Sequence, residues 1–341
     1  MREHHRVLSY ISCVSVFCLQ NGLGVTMKLL MVGYGTTATS HTKIFAEAGL
    51  TLDTIVGRLP EKTATFAAEF GYAHHTTDLA AALAEHPPEV VCIASPSEAH
   101  AGQVAQALMA GAHVLVEIPL AMSYTEGRAL ADLAREKGRV LMVAHTHRYR
   151  SVAQEAKRKV TSGALTLHHI VSRYVFLRRE NRDLTGHARS WTDNLLWHHG
   201  CHAVDLSLWL LGVTDVSGLT VTSQVALPDQ AMGAPLDLSI LVRTAQDQLV
   251  SVNMSYNSHI DLYDYLLIGR EESFVLPGSG PDPVPGFPTQ DRDFLAAVRG
   301  EIEAPISAES VLPALWVLQQ AQDQHDVWTQ AQPGAMHPIT P

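Results

Sequence analysis

The stretch KLLMVGYGTTA, residues 28–38, decides the fold of the first half of the chain. It is an apolar run that ends in the pattern Gly33-x-Gly35-x-x-Ala38 and continues into a helix-like segment. In such a turn the first glycine allows the bend, the second lets the backbone approach a pyrophosphate, and the small third residue lets the helix lie close to the strand. The N–H groups at the start of the helix face the phosphates. The stretch therefore predicts a dinucleotide-binding turn formed by Gly33, Gly35, Thr36, Thr37 and Ala38.

The residues after this turn repeat the same alternation of strand and helix. Apolar runs predict further strands at TLDTIVGR, EVVCIAS, HVLVE and RVLMVAH, with helical segments between them. Pro60 stands near the start of one of these helices and Gly71 follows its end, as helix boundaries prefer. Alternation of this kind predicts a doubly wound parallel sheet. We therefore expect a nucleotide-binding Rossmann domain over residues 27–148.

From residue 149 the pattern changes to longer strands with alternating polar and apolar residues. They are expected in LTLHHIVSRYVFLRREN, LTVTSQVAL, LDLSILVRTA, LVSVNMSYNS and DYLLIGREESFVLP, and two helices close the chain. Alternating segments of this kind predict an open, mostly antiparallel sheet. Residues 149–330 are therefore expected to form an α+β substrate-binding domain, followed by a loose tail over 331–341.

Composition limits the partners of the chain. Lysine and arginine number 24 and aspartate and glutamate number 34, so the formal net charge is −10, which argues against a nucleic-acid partner. None of the four cysteines forms a CxxC pair, which favours a reduced, cytoplasmic protein. Residues 1–26 have a basic start and an apolar run too short to cross a bilayer, and no A-x-A-like cleavage site follows. We therefore expect no membrane partner and an untranslated or disordered extension before Met27.

The end of the second strand bears on the choice of nucleotide. NAD-binding chains usually place a carboxylate there for the ribose 2′-hydroxyl, whereas an arginine accommodates the 2′-phosphate of NADP. Here the strand ends in Val56-Gly57-Arg58, without a carboxylate. The sequence therefore predicts NADP, with NAD still possible, and the alternative is that Arg58 is only a solvated surface charge.

The densest group of reactive side chains lies in RSWTDNLLWHHGCHAVD, residues 189–205. In a helix His198, His202 and Asp205 stand at i, i+4 and i+7 on one face, and His199 lies off that face. Histidine transfers protons near neutral pH, so the row predicts acid–base catalysis. The alternative is a zinc hydrolase site, but the pair lacks the glutamate of H-E-x-x-H.

Four motifs together resemble the Gfo/Idh/MocA oxidoreductase family over residues 27–330. They are the glycine turn followed by His41, the SPSEAH turn at residues 95–100, Glu117-Ile118-Pro119, and His202-x-x-Asp205. The resemblance implies NAD(P)-dependent hydride transfer, with His202 as the catalytic base. Most members have lysine at the position of Ile118 and aspartate at that of His198. The residues expected to line the cofactor pocket are Arg58, Ser95, Pro96, His100, Glu117 and Pro119.

Longer strings resemble one branch of the family, which oxidises the cyclic hemiacetal of a dicarboxylate semialdehyde with NADP during the catabolism of aromatic compounds. They are VEIPLA, MVAHTHRYR, FLRREN and the histidine segment itself. His198 would then relay the proton or bind substrate. Two carboxylates call for guanidinium partners. The expected substrate-binding residues are Arg148, Arg178, Arg189, Trp191, Asp193, His198 and Asn257.

The resemblance leaves two other functions open and implies an assembly. The chain could oxidise a sugar, an inositol or an imine instead, as other members of the family do. It could also be a non-catalytic NADP-binding sensor, which the loss of lysine at Ile118 would support. Family members pair through the second sheet, so a homodimer or homotetramer is expected by resemblance.

Overall fold

A computed structural model describes residues 26–182, 194–283 and 286–331. The extension expected before Met27 and nearly all of the expected tail lie outside the described residues. Among those that the structure describes, no helix has both the length and the apolar character needed to cross a membrane.

The first half of the chain forms a six-stranded parallel sheet with helices on its faces. Its strands are β1 Lys28–Val32, β2 Thr51–Val56, β3 His74–Thr76, β4 Val90–Ile93, β5 His113–Val116 and β6 Leu141–Val143. They lie in the order β3-β2-β1-β4-β5-β6, and every neighbouring pair is parallel. The helices are α1 Thr36–Glu47, α2 Pro60–Phe70, α3 Leu79–Glu85, α4 His100–Met109 and α5 Tyr124–Lys137. The predicted Rossmann fold is confirmed.

The second half forms another six-stranded sheet. Its strands are β7 Leu167–Leu177, β8 Thr220–Val225, β9 Asp237–Arg243, β10 Leu249–Ser255, β11 Asn257–Gly269 and β12 Ser273–Pro277. They lie in the order β12-β11-β7-β10-β9-β8, and only the pair β7–β10 is parallel. The prediction of a mostly antiparallel sheet is confirmed. The stretch DYLLIGREESFVLP is a hairpin of β11 and β12 and not a single strand, because the chain turns at residues 270–272.

Among the described residues the second half has four α-helices, and the last two of them contact the first half. They are α6 Ser151–Thr161, α7 Gly200–Leu211, α8 Gly286–Val298 and α9 Ala308–Gln330. Helix α8 contacts α1, and α9 contacts α5 and β6 as well as α7 and β8. Just before α9 the backbone N–H of Val143 in β6 donates to the carbonyl of Ile306 at 3.0 Å, which covers the edge of the first sheet. We call the region between the carboxyl ends of β1, β4, β5 and β6 and the second sheet the cleft.

Candidate active site

The glycine turn has the geometry that a dinucleotide phosphate requires. Gly33 has φ +110°, and a Cβ on it would lie 2.3 Å from the carbonyl oxygen of Ala94, so only glycine fits. Gly35 precedes α1, and a Cβ there would meet nothing within 4 Å. The first turn of α1 holds no acidic residue and no side-chain cap, so its N–H groups face open space. Thr36 and Thr37 begin the helix, and buried Ala38 lets it lie against the strand.

The end of β2 holds a free cation. Arg58 is exposed and has no ion pair with any other residue that the structure describes. The residue before it is held close to the turn, because a Cβ on Gly57 would lie 2.5 Å from the ring of Tyr34. The exposed guanidinium of Arg58 is therefore available to an anion that binds at the end of β2.

Glu117 follows β5 and is held by a buried histidine. His41 Nε2 lies 2.9 Å from Oε1 of Glu117, and His41 Nδ1 lies 2.7 Å from Oδ2 of Asp291 in α8. Burial opposes the imidazolium charge, but Asp291 and then Glu117 outweigh it and raise the pKa of His41 to about 10. The imidazolium therefore bridges two carboxylates and joins α1, the end of β5 and α8.

His100 does not face the cleft in the way the sequence predicts. Its Nδ1 lies 2.8 Å from the carbonyl oxygen of Pro119, and its Nε2 lies 2.9 Å from that of Ser95. Burial lowers the pKa of His100, so the ring is neutral and donates to only one of the two oxygens. The predicted cofactor contact is therefore replaced by a bridge between two loops. That bridge holds the cis Ile118–Pro119 peptide, while Pro96 begins the short turn after Ser95.

The predicted catalytic histidine lies over the carboxyl end of β6. The chain makes a π-helical turn at Leu195–His199 and continues as α7, which places His202 in the first turn of that helix. The ring of His202 stacks on that of His147, with centroids 4.1 Å apart. Its Nδ1 is buried and has no hydrogen-bond partner within the described ranges. Burial, reinforced by His147, lowers the pKa of His202 well below the ordinary value, so the ring is neutral and able to accept a proton.

The second histidine of this stack is held from the other sheet. The hydroxyl of Tyr263 in β11 lies 2.7 Å from Nδ1 of His147 and 3.3 Å from the hydroxyl of Tyr265. Burial lowers the pKa of His147 to about 3, and His145 adds to that effect. The stack is therefore a pair of neutral imidazoles fixed between β6, α7 and β11.

Arg148 does not point at a substrate, which corrects the sequence prediction. Its Nε donates to Oδ2 of Asp205 at 2.8 Å, its Nη2 donates to Oδ1 at 2.5 Å, and the rest of the guanidinium reaches Ser310. Both members of the pair are buried. Asp205 also lies 3.2 Å from Nδ1 of His145, whose pKa burial lowers to about 4. The pair therefore anchors α7 to the segment after β6. Among the described residues, Asp205, His198 and His202 do not form a group that could hold a metal ion.

The remaining predicted residues are divided between two faces. His199 packs against Tyr174 and Tyr256 on the inner face of the second sheet, next to His198. Arg178 lies on that side too, with its guanidinium carbon 5.2 Å from the ring centre of Tyr256.

Asn257 lies on the outer face of the same sheet. Its amide donates to Asp237 at 2.5 Å and accepts from Arg179, so the structure does not bring it to the histidines. Its predicted substrate contact is therefore not formed. Arg189, Trp191 and Asp193 lie outside the described residues.

Sequence reasoning missed three residues of this region, which are His147, Tyr263 and Asp291. His147 has a local signal, because it follows β6 two residues after His145, at the edge where parallel strands deliver site residues. Tyr263 lies 116 residues from His147, and Asp291 lies 250 residues from His41. No spacing pattern could have paired residues so far apart in the chain.

Comparison with known proteins adds the family. Residues 27–145 match the family model described as oxidoreductase family, NAD-binding Rossmann fold, and residues 151–274 match bacterial oxidoreductases, C-terminal. The chain is 31% identical to 4-carboxy-2-hydroxymuconate-6-semialdehyde dehydrogenase of a Sphingobium species, over 87% of this chain and 98% of that one. It is 30% identical to D-glucoside 3-dehydrogenase of Escherichia coli over 46% of this chain and 45% of that one.

Solved structures agree with the fold. The WlbA dehydrogenase of Bordetella pertussis, in complex with NADH and UDP-GlcNAcA, has a TM-score of 0.77 at 19% identity, covering 89% of this chain and 97% of that one. Biliverdin reductase of Synechocystis, with biliverdin and NADP+, has a TM-score of 0.74 at 20% identity, covering 88% and 99%. Both halves of the chain match family models, and one relative aligns along nearly its whole length. This chain therefore belongs to the Gfo/Idh/MocA family and is an NAD(P)-dependent oxidoreductase.

Proposed function

We propose that this protein is an NADP-dependent dehydrogenase that oxidises the cyclic hemiacetal of 4-carboxy-2-hydroxymuconate-6-semialdehyde to 2-pyrone-4,6-dicarboxylate. The observation that carries the proposal is the 31% identity to the Sphingobium enzyme of that name, along 98% of its length. The reaction would place the protein in protocatechuate 4,5-cleavage, a route of aromatic catabolism.

The reaction needs one base and one hydride acceptor. The hydroxyl proton of the hemiacetal goes to His202, and the C–H bond breaks as the C=O bond of the lactone forms. Bound NADP supplies the nicotinamide that takes up the hydride. His202 suits the role because its ring is neutral and a buried nitrogen lacks a partner among the described residues. Its stack on His147 fixes the plane of the ring.

Glu117 supports the cofactor side of the cleft. The His41 imidazolium holds one oxygen of its carboxylate, and the backbone N–H of Ile118 donates to the other at 3.3 Å. These two contacts fix the position of the carboxylate at the end of β5.

The substrate carboxylates need cationic partners. Arg178 supports this part of the proposal, because its guanidinium lies over Tyr256 on the inner face of the second sheet, beside His199. Arg189 is proposed as the second partner from its place next to the histidines in the sequence, with Trp191 and Asp193 as neighbouring pocket residues. His198, one turn before His202, is proposed to bind substrate or relay the proton.

NADP is proposed over NAD because of Arg58. The residue is exposed at the end of β2, without an ion pair among the residues described, so it is available for a 2′-phosphate. Arg58→Asp should raise the KM for NADP by roughly 10- to 100-fold, the value of a lost charge-assisted hydrogen bond. Lys62→Asp makes the same charge change one turn into α2 and serves as the control. If Arg58→Asp and Lys62→Asp have the same KM for NADP, the assignment of Arg58 to the 2′-phosphate is refuted.

The substrate is tested by mixing protein, NADP and enzymatically made semialdehyde, and following the absorbance of NADPH. His202→Asn should lower kcat by about 10²- to 10⁴-fold, the usual contribution of a general base. His169→Asn is the control, because that ring bonds Ser251 on the outer face of the second sheet. Turnover of a sugar, inositol or imine but not of the semialdehyde would discard the substrate. Tight NADP binding without any turnover would favour a sensor.

An assembly through the second sheet is also proposed. Its outer face carries Leu241, which is 45% exposed, and Val275. Ile260, in the bulged part of β11, is 71% exposed. Covering such side chains in a homodimer or homotetramer removes apolar area from water. Ile260→Asp should lower the mass found by light scattering, whereas Val327→Asp on α9 should not. An unchanged mass in the first variant would reject this interface.

A cytoplasmic location is proposed from the thiols. Cys92 and Cys201 are both free and buried. Unpaired cysteines of this kind suit a reducing compartment.

A further inference from the structure

Three potential metal ligands converge at the end of the first sheet away from the nucleotide turn. They are the side chains of Asp53, His74 and His86, and their ligand atoms all lie within 4.8 Å of one another. Within the described parts of the chain, no other group of three histidines, cysteines or acidic residues meets this criterion. The cluster takes no part in the proposed reaction, so its geometry needs a separate explanation.

Each of the three side chains comes from a different element. Asp53 is an extra residue in β2, because the pairing with β1 skips it between Leu52 and Thr54. Such a bulge redirects the side chain of the residue that it inserts. His74 begins β3 and pairs with Thr54. His86 is the C-cap residue after α3, and its ring stacks on that of His74 with centroids 3.8 Å apart. The bulge thus turns a carboxylate towards two adjacent imidazoles.

We propose that Asp53, His74 and His86 bind a divalent transition-metal ion, of which zinc is the best match. Two imidazoles and a carboxylate are the ligands that zinc, cobalt and nickel share, whereas calcium and magnesium prefer oxygen alone. Two nitrogens bound to one tetrahedral zinc ion lie about 3.4 Å apart, since each Zn–N bond is about 2.1 Å. The ligand atoms lie within 4.8 Å of one another, so they would draw together by up to about 1.4 Å on binding the ion. The rings of His74 and His86, which are stacked at 12°, would turn so that both nitrogens point at the ion. The exposed side of His74 leaves room for a water ligand.

Lys28 is the competitor for this site. Its Nζ lies 3.5 Å from Oδ1 of Asp53, and its side chain is 44% exposed. The hydroxyl of Thr54 donates to the other oxygen at 2.8 Å and fixes the carboxylate. A long, exposed lysine moves away into solvent readily, so a divalent ion replaces it with a larger charge at the same oxygen. Removing the lysine should consequently tighten metal binding.

The position of the cluster defines the effect of the metal. His74 is the first residue of β3, and His86 directly follows the last residue of α3, which places both at the amino ends of the strands. Nucleotide binds at the opposite, carboxyl ends. The ion would therefore tie β2, β3 and α3 together and stabilise the folded chain, because a ligand that binds only the folded state raises its stability. Turnover should not depend on it.

The test is isothermal titration of the full, tag-free chain with zinc chloride, repeated with cobalt to record its absorption spectrum. The wild type should bind one zinc ion at this site and melt at a higher temperature with zinc than without it. His74→Ala and His86→Ala should each weaken the binding by at least about tenfold. Lys28→Met should strengthen it.

The chain offers a matched control. His75 is exposed in the same strand, and successive residues of a strand point to opposite faces. His75→Ala should therefore bind zinc as the wild type does. Circular dichroism of the metal-free variants checks that they are folded. Zinc binding that is absent from the wild type, or unchanged in both His74→Ala and His86→Ala, would overturn the proposal.

Discussion

The buried His41 bridge should make the stability of the protein fall as the pH rises above neutrality. Its imidazolium lies between Asp291 and Glu117, and no part of the ring is exposed. Unfolding releases the ring into water, where histidine has its ordinary pKa of about 6.5. The unfolded chain therefore loses a proton that the folded chain keeps.

The size of the effect follows from the raised pKa of His41. That pKa is about 10 in the folded protein against a model value of 6.5. A difference of this size corresponds to about 5 kcal/mol, at roughly 1.4 kcal/mol for each pH unit. The contribution is complete below about pH 6.5 and is lost as the pH rises towards 10. Between pH 7 and 8.5 it should lower the free energy of unfolding by about 2 kcal/mol.

Urea unfolding at several pH values, followed by tryptophan fluorescence, measures this slope. The range stops at pH 8.5 because burial raises the pKa of the Cys92 and Cys201 thiols, which add a similar slope at higher pH. The double variant His41→Gln/Asp291→Asn removes the imidazolium together with its strongest partner, so no carboxylate stays fully buried without a cation. Its stability should be nearly independent of pH over this range.

The control for this measurement is His113→Gln. Burial lowers the pKa of His113, so this ring titrates below neutral pH and contributes nothing to the slope above it. The control should keep the wild-type slope. A flat wild-type profile, or the same slope in the double variant as in the wild type, would refute a charged His41.

Three further predictions concern single substitutions. Gly35→Val should abolish NADPH binding in a fluorescence titration and keep the melting temperature of the wild type. Gly33→Ala should melt at a lower temperature, because Gly33 has a φ of +110°. A lower melting temperature for Gly35→Val than for Gly33→Ala would contradict the turn geometry. The acid limb of kcat/KM should lie below pH 6.5, because the pKa of His202 is lowered and activity is lost only when that ring becomes protonated; a limb above pH 7 would exclude this ring as the base. Arg148→Met should destabilise the fold by about 3–5 kcal/mol in urea unfolding, since it leaves Asp205 buried without a cation; a loss under about 1 kcal/mol would show that water reaches the carboxylate.

The sequence predicted the features that depend on local constraints. Gly33 and Ala38 have conformational and steric requirements that can be read from their spacing, and the apolar strands around them follow from period and length. The parallel pairing of β7 with β10 was not predicted, because alternation reports which face a residue occupies and not which strand lies beside it.

The candidate site was predicted less completely, for the same physical reason. His202 was predicted because it stands in a local row of histidines and because the family resemblance assigns the base to that position. Its stack on His147 and the bond from Tyr263 depend on a sheet formed far along the chain. Arg148 was expected to bind the substrate because it lies beside histidines in the sequence. Its ion pair with the buried Asp205 depends on the fold and could not be predicted from that position.

The docking of α8 and α9 against the first sheet has a consequence for synthesis of the chain. The Rossmann strands leave the ribosome well before α8, so His41 is made about 250 residues ahead of Asp291. Until those last helices arrive, α1 and α5 lack the apolar partners that later cover them, and the edge of β6 stays open. An unfinished chain thus holds the nucleotide turn but not the carboxylate that charges its histidine. Completion of the protein and completion of its cofactor pocket are therefore a single, late event at the end of translation.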